Sequence, residues 1–362
     1  MIRKYVDKEN KFIEIFNDKN GFYMRTGILN EEGKDTNVDP FMRDFPNLID
    51  IGIMSTCIHG KTGLCIQSGV ECYQDGLNIA KPNMSLEDFK KIADECKGKV
   101  FSFALGGRGD PNKHENFKEI MEYCREVGIV PNYTTSGLDL TDEEIQVTKE
   151  TAGAVAVSWY RSDHTLNAIE RFIKAGVKTN IHYVLGNNSI DEAIQRLKED
   201  SFPKGINAVI FLMHKPVGLG SEKNVLKVDD PKVKEFAKLI DGNTFRFKIG
   251  FDSCSSPLVT NFMKNIDTQS MDACEGGRFS MYITAEMEAI PCSFDNQDLK
   301  YKVDLRENTI KEAWESEEFN QFRNYLRHSC KGCGSREKCL GGCPLVNVIT
   351  LCDRTEREFT NI

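Results

Sequence analysis

The chain has no long apolar run. Nothing in its 362 residues approaches the roughly eighteen consecutive apolar positions that a membrane span requires, and the start, MIRKYVDKENKF, is too polar for a signal peptide. It also lacks a basic tract. Lysine and arginine are scattered and the formal charge is −8, which argues against a broad nucleic-acid-binding face. No internal repeat or low-complexity segment is present. These absences predict a cytoplasmic protein with neither a membrane nor a nucleic-acid partner. Its length allows two domains, or one large domain with an appendage.

Cysteine, by contrast, is abundant. Thirteen cysteines without an export signal make a poor disulfide framework, because a reducing cytosol keeps thiols free; clustered cysteines there point to metal. Eleven fall into two regions, residues 57–72 and 254–352. The other two, Cys96 and Cys124, sit in amphipathic helical patterns and read as small buried hydrophobes.

From residue 49 to 215 short β-branched runs alternate with helical periods. The runs are IDIGIMS (49–55), VFSFALG (100–106), VPNYTTS (130–136), GAVAVSW (153–159), KTNIHYVL (178–185) and AVIFLMHK (208–215). Ser85 with Glu87 and Asp88, and Thr141 with Glu144, give capping-type helix starts; Gly98, Gly128 and Gly176 give stops. Strands alternating with helices imply an α/β fold with a parallel sheet, and six units make a partial TIM-like barrel. Its ligands belong at the C-terminal ends of the strands. Beyond residue 216 a helix (230–241), a strand (245–253), a hairpin and one long helix (309–329) are expected. The glycine- and cysteine-rich remainder has too little apolar material to hold itself together without a staple.

Cys57, Cys65 and Cys72 follow the first strand in STCIHGKTGLCIQSGVECYQ. Three thiolates on one loop suit a [4Fe–4S] cluster with one iron left open; a zinc site of Cys57, His59, Cys65 and Cys72 is the competing reading. At the end of the second strand, FSFALGGRGDPNKHENF places Gly106, Gly107 and Gly109 where backbone can approach a ligand closely. The most specific pattern is CKGCGSREKCLGGC, with gaps of two, five and three between Cys330, Cys333, Cys339 and Cys343, and with Cys352 downstream. Paired structural zinc sites would also use such cysteines.

Taken together these motifs resemble radical S-adenosylmethionine (SAM) enzymes with a C-terminal SPASM domain, a twin-cluster extension. The resemblance covers roughly residues 49–362. It implies a partial (β/α)6 barrel over 49–225, a bridging region over 226–273 and a SPASM domain over 274–362, with 1–48 as an unassigned N-terminal extension. It also implies SAM and three [4Fe–4S] clusters as cofactors. The gaps of seven and six residues in the first cysteine group depart from the family's three and two.

By the same resemblance the SAM-binding positions are Gly106, Gly107, Gly109, Asp110, Thr135, Ser136 and Ser158, with Asp110 receiving the methionine ammonium. Arg161 is a candidate for the SAM carboxylate. One auxiliary cluster would take Cys254, Cys274, Cys292 and Cys343, and the other Cys330, Cys333, Cys339 and Cys352. Cys254 lies farther upstream than the family pattern suggests; without it the first auxiliary cluster would keep an open iron. Met287 replaces a glycine usual in the hairpin. His182 reads as a satisfied core histidine, and His214 and Asp252 as structural residues.

The implied function is modification or crosslinking of a ribosomally made peptide. Dehydrogenation of a small molecule or a protein side chain is the enzymatic alternative, and a non-catalytic metal-binding protein the alternative from another class. A flavodoxin or ferredoxin would donate electrons. A small strand pair in residues 1–48, or a separate leader-peptide-binding protein, would capture the peptide.

Overall fold

The computed structural model describes residues 1–57, 59, 62–78, 80–266, 271–295, 298–330 and 332–352, a set that includes every cysteine. Residues 353–362, the end of the expected C-terminal domain, lie outside it. The N-terminal extension forms a three-stranded antiparallel sheet of β1 (Ile2–Asp7), β2 (Phe12–Asn17) and β3 (Phe22–Arg25), ordered β1-β2-β3. Phe12, Glu14 and Phe16 alternate inward along β2, as a half-buried strand requires. Arg43, fully buried, pairs with Glu14 at 3.0 Å and donates to the carbonyls of Pro46 and Lys99. The extension is thereby fastened to the rest of the chain.

The six expected units are all present. Strands β4 (Leu48–Met54), β5 (Ser102–Gly107), β6 (Val130–Thr135), β7 (Val155–Ser158), β8 (Thr179–Leu185) and β9 (Ala208–Met213) pair in chain order, all parallel. The sheet extends past them. β10 (Lys248–Phe251) adds in parallel to β9, β11 (Ser280–Ile283) adds in parallel to β4, and β12 (Glu288–Ile290) and β13 (Val303–Asp304) follow antiparallel. The expected hairpin is β11-β12, and it belongs to the same ten-stranded sheet.

Helices α1 (Leu86–Cys96), α2 (Phe117–Glu126), α3 (Asp142–Thr151), α4 (Asp163–Lys174), α5 (Ile190–Lys198) and α6 (Pro231–Asp241) connect these strands. Ser85 accepts the Asp88 N–H, and Thr141 with Glu144 forms a reciprocal capping box, so the starts fall where the sequence put them. Gly98, Gly128 and Gly176 take positive φ at the ends. Phe89, Ile92 and Cys96 of α1, at helical spacing, are buried against the sheet, and Cys124 of α2 is buried likewise. Each large apolar side chain fully buried in this way contributes about 1.5–3 kcal/mol.

One expected element differs. The helix anticipated over 309–329 is two, α7 (Ile310–Glu315) and α8 (Glu317–His328). Ser316 between them is extended (φ −63°, ψ 162°) and its side chain accepts the Phe319 N–H, so it ends one helix and caps the next. The helical periodicity continues through Ser316, and only the cap reveals the break. No described helix is long and apolar enough to cross a membrane.

Candidate functional site

Period-two alternation decides what faces the barrel interior. On β5 Phe103 and Leu105 are buried under helices, while Ser102, Ala104 and Gly106 keep partial exposure on the inner face. The same alternation turns Asp50, Asn132, Thr134, Asn180 and His182 inward. His182 is therefore a lumen residue. Its ring meets the Thr134 hydroxyl at 3.3 Å, and burial lowers its pKa to about 4, leaving it neutral. Ser158, on β7 opposite His182, shares this face.

The first cysteine group begins three residues beyond the end of β4. A Cβ on Gly76 would stand 3.0 Å from that of Cys57, so Cys57 rests on bare backbone. Glu71 anchors Cys72: its carboxylate accepts from the Ser221 N–H and hydroxyl and from the Asn224 amide. The carbonyl of Cys72 accepts the Leu219 N–H at 2.9 Å. Burial, then the charges of Asp110, Cys65, Cys72 and Cys57, raises the Tyr160 hydroxyl well above its usual range. This phenol, two residues past Ser158, stands with its ring centre 5.5 Å from that of His59, edge to face. The sequence reading missed Tyr160.

The glycine loop has two roles. Gly107 (φ +114°) leaves no room for a Cβ, which would fall 2.2 Å from the Met54 carbonyl, and a Cβ on Gly109 would fall 2.5 Å from that of Thr56. These two glycines let the loop close on the backbone that leads to Cys57. A Cβ on Gly106 would meet nothing within 4 Å, and that position alone opens on free space. Asp110 accepts the Ser136 N–H at 2.9 Å and the Ser136 hydroxyl. Ser136 Oγ also lies 2.6 Å from His59 Nε2, which turns His59 toward β6. Burial lowers the His59 pKa, and Asp110 opposes it. Among the described residues, His59 Nδ1 and both polar atoms of the Asn112 amide are buried with no hydrogen-bond partner.

Other candidates are committed elsewhere. Thr135 is fully buried and accepts the Gly137 N–H, a turn role. Arg161 pairs with Glu192 and donates to the Ser68 carbonyl. His214 meets the Ser221 carbonyl at 3.0 Å.

The second cysteine group divides into two. Cys254 packs against the buried cluster that contains Cys343; Cys274 and Cys292 both interact with Cys254, and Cys292 also with Cys274. Burial first, then the Cys254 neighbour, pushes Cys274 up to about 12. Separately, Cys339 interacts with Cys330 and Cys352, while the Cys333 N–H donates to the Cys330 carbonyl. The chain thus interleaves: Cys343 turns back to the first set and Cys352 joins the second. Burial keeps the proton on a sulfur such as that of Cys274, so a metal or cluster bound there would have to displace it. Among the described residues no three His, Cys, Asp or Glu side chains stand at the spacing of a single metal ion. A cavity of about 330 Å³ lies beside β10, lined in part by Asp252, Asp272 and Glu275.

The parallel partial barrel carrying an extended cysteine-rich hairpin shares its fold with solved structures that bind S-adenosylmethionine, and part of its C-terminal region matches an iron–sulfur domain family. Residues 274–334 match the SPASM family, an iron-sulfur cluster-binding domain. Over the whole chain the structure is similar to Streptococcus suis SuiB bound to S-adenosylmethionine, at 14% identity and TM-score 0.68, covering 94% of each chain. SuiB bound to its precursor peptide SuiA aligns at 13% identity and TM-score 0.67, covering 97% of this chain and 100% of that one. Native anSMEcpe with bound AdoMet aligns at 18% identity and TM-score 0.57, covering 82% and 89%.

Proposed function

We propose that this protein is a radical SAM enzyme that modifies or crosslinks a ribosomally made peptide. The observation that carries the reading is the packing of the three-cysteine loop that follows β4 against the glycine loop and its fixed Asp110, at the C-terminal ends of the parallel strands. In this reading the three cysteines hold a [4Fe–4S] cluster. Gly106, Asp110, Ser136 and Ser158 are the residues that would hold SAM, while Gly107 and Gly109 let the loop close on Met54 and Thr56 and Thr135 fixes the turn beside it. A cluster held by Cys57, Cys65 and Cys72 would supply the electron for reductive SAM cleavage and hydrogen-atom abstraction.

The residues divide the remaining work. Asp110, oriented by Ser136, offers its carboxylate to the methionine ammonium, and Gly106 leaves space for the ligand. Cys274, Cys292 and Cys343 of a C-terminal domain taken as 274–362, with Cys254 from the bridging region, would hold one auxiliary cluster, and Cys330, Cys333, Cys339 and Cys352 of that domain the other. SuiB binds a precursor peptide and anSMEcpe a peptide named Cp18Cys, which supports a peptide substrate here. A flavodoxin or ferredoxin in the cytoplasm supplies the electrons.

The test is iron and sulfide content after anaerobic reconstitution, with 5′-deoxyadenosine release measured on reduction. About twelve irons are expected for three four-iron clusters. Replacing Cys57, Cys65 and Cys72 together by alanine should remove about four irons and all SAM cleavage. Zinc in place of iron, or unchanged cleavage in that variant, overturns the reading.

A further inference from the structure

Lys215 is an ammonium with almost no access to solvent, its side chain only 2% exposed. Nζ donates to the Met213 carbonyl at 3.0 Å and to Asp252 Oδ2 at 2.8 Å, and it lies 4.2 Å from the centre of the Phe294 ring. Asp252 is fixed in turn: Oδ2 also accepts the Met213 N–H at 3.1 Å, and Oδ1 accepts the Ser255 hydroxyl at 2.7 Å. Asp252 lies two residues before Cys254 and Phe294 two residues after Cys292, so the salt-bridged ammonium sits against both of these cysteine-bearing segments. One fixed ion pair therefore lies beside two of the four cysteines of the first auxiliary set. Neutral residues packed at such a position avoid the desolvation cost of a buried ion pair, so stability alone does not explain this pair.

We infer that the Lys215–Asp252 pair sets the reduction potential of the cluster held by Cys254, Cys274, Cys292 and Cys343. Reduction adds one electron and one negative charge to that cluster. In a low-dielectric interior a neighbouring ammonium favours the added charge and a neighbouring carboxylate opposes it. Lys215 and Asp252 are positioning residues here and touch no substrate. The inference rests on the cluster assignment proposed above.

The experiment is an EPR-monitored redox titration of the full-length, anaerobically reconstituted protein, comparing native chain, Lys215→Met, Asp252→Asn and the double variant. Lys215→Met should shift one midpoint potential to more negative values, and Asp252→Asn should shift the same potential to more positive values. The double variant should return close to native, and the other two clusters should not move. Equal iron content with all three potentials unmoved, or shifts of the same sign in both single variants, overturns the inference. Should Lys215→Met fail to fold, Asp252→Asn decides alone, and an unmoved potential there overturns it. A native protein that binds no iron overturns the cluster assignment and this inference together; one with full iron and no shift overturns only the latter.

Discussion

The ring of Tyr73 lies against that of Phe294, centroids 4.6 Å apart and planes at 40°. The residue after Cys72 thus touches the residue two beyond Cys292, and the two cysteine regions share an aromatic seam. Lys215 Nζ lies 4.2 Å from the centre of the same Phe294 ring. A double-mutant cycle with Tyr73→Leu and Phe294→Leu should return a coupling of about 0.5–1.5 kcal/mol in denaturant unfolding. Strict additivity would mean the rings are neighbours without being partners.

Glu71 holds the loop that carries Cys72 through three donors from residues 221–224. Glu71→Ala leaves those donors without their acceptor and frees the loop, so reconstituted iron should drop from about twelve to about eight. Glu71→Gln keeps one acceptor oxygen and should retain more. Mössbauer quantification of cluster content reads both.

The buried pair of Glu14 and Arg43 joins the N-terminal sheet to the barrel, and Trp314 Nε1 donates to the Arg43 carbonyl. Removing one member of a buried pair strands the other charge. Glu14→Ala is expected to cost about 3–5 kcal/mol. Replacing both residues by apolar ones of similar volume should cost far less, and equal losses would show that packing dominates.

Two lumen groups give opposite pH signatures. Burial lowers His182 to about 4, so the unfolded chain binds its proton first as pH falls. Stability from this group is complete above about pH 6.5 and is lost toward the folded value, by up to about 3 kcal/mol. Burial raises Asp50 to about 7, so its contribution is complete at low pH and is lost as pH rises from about 4 to 7. Asp50→Asn should therefore raise stability at about pH 8 by roughly 2–4 kcal/mol and leave it unchanged near pH 4. His182→Asn should flatten the acid limb. Urea unfolding across that range would expose a reversed order at once.

Met287 occupies the left-handed region, φ +64°, in the turn of the β11-β12 hairpin, and its side chain is 1% exposed. Restoring glycine relieves about 1–2 kcal/mol of backbone strain but empties a core position worth about 2–5 kcal/mol. The cavity term wins, and Met287→Gly should lower stability by roughly 1–3 kcal/mol. A rise in Tm would reverse that ranking.

Local chemistry settled much of this protein before any tertiary contact was known. The caps at Ser85 and Thr141, the glycine stops and the period-two runs decide the six βα units, because each depends on neighbours a few residues away. The cysteine spacing in CKGCGSREKCLGGC likewise announced a metal-binding segment. Other features depended on contacts between distant residues. Ser316 breaks a helix whose periodicity continues through it, and the three strands of residues 2–25 are secured by Arg43. β11 completes the sheet beside β4. Gly107 and Gly109 are glycines because Met54 and Thr56 lie against them. Tyr160, Glu71 and Lys215 carry no motif. What marks them is burial among charges that the chain brings together from far apart, a property of the folded interior that no spacing along the sequence encodes.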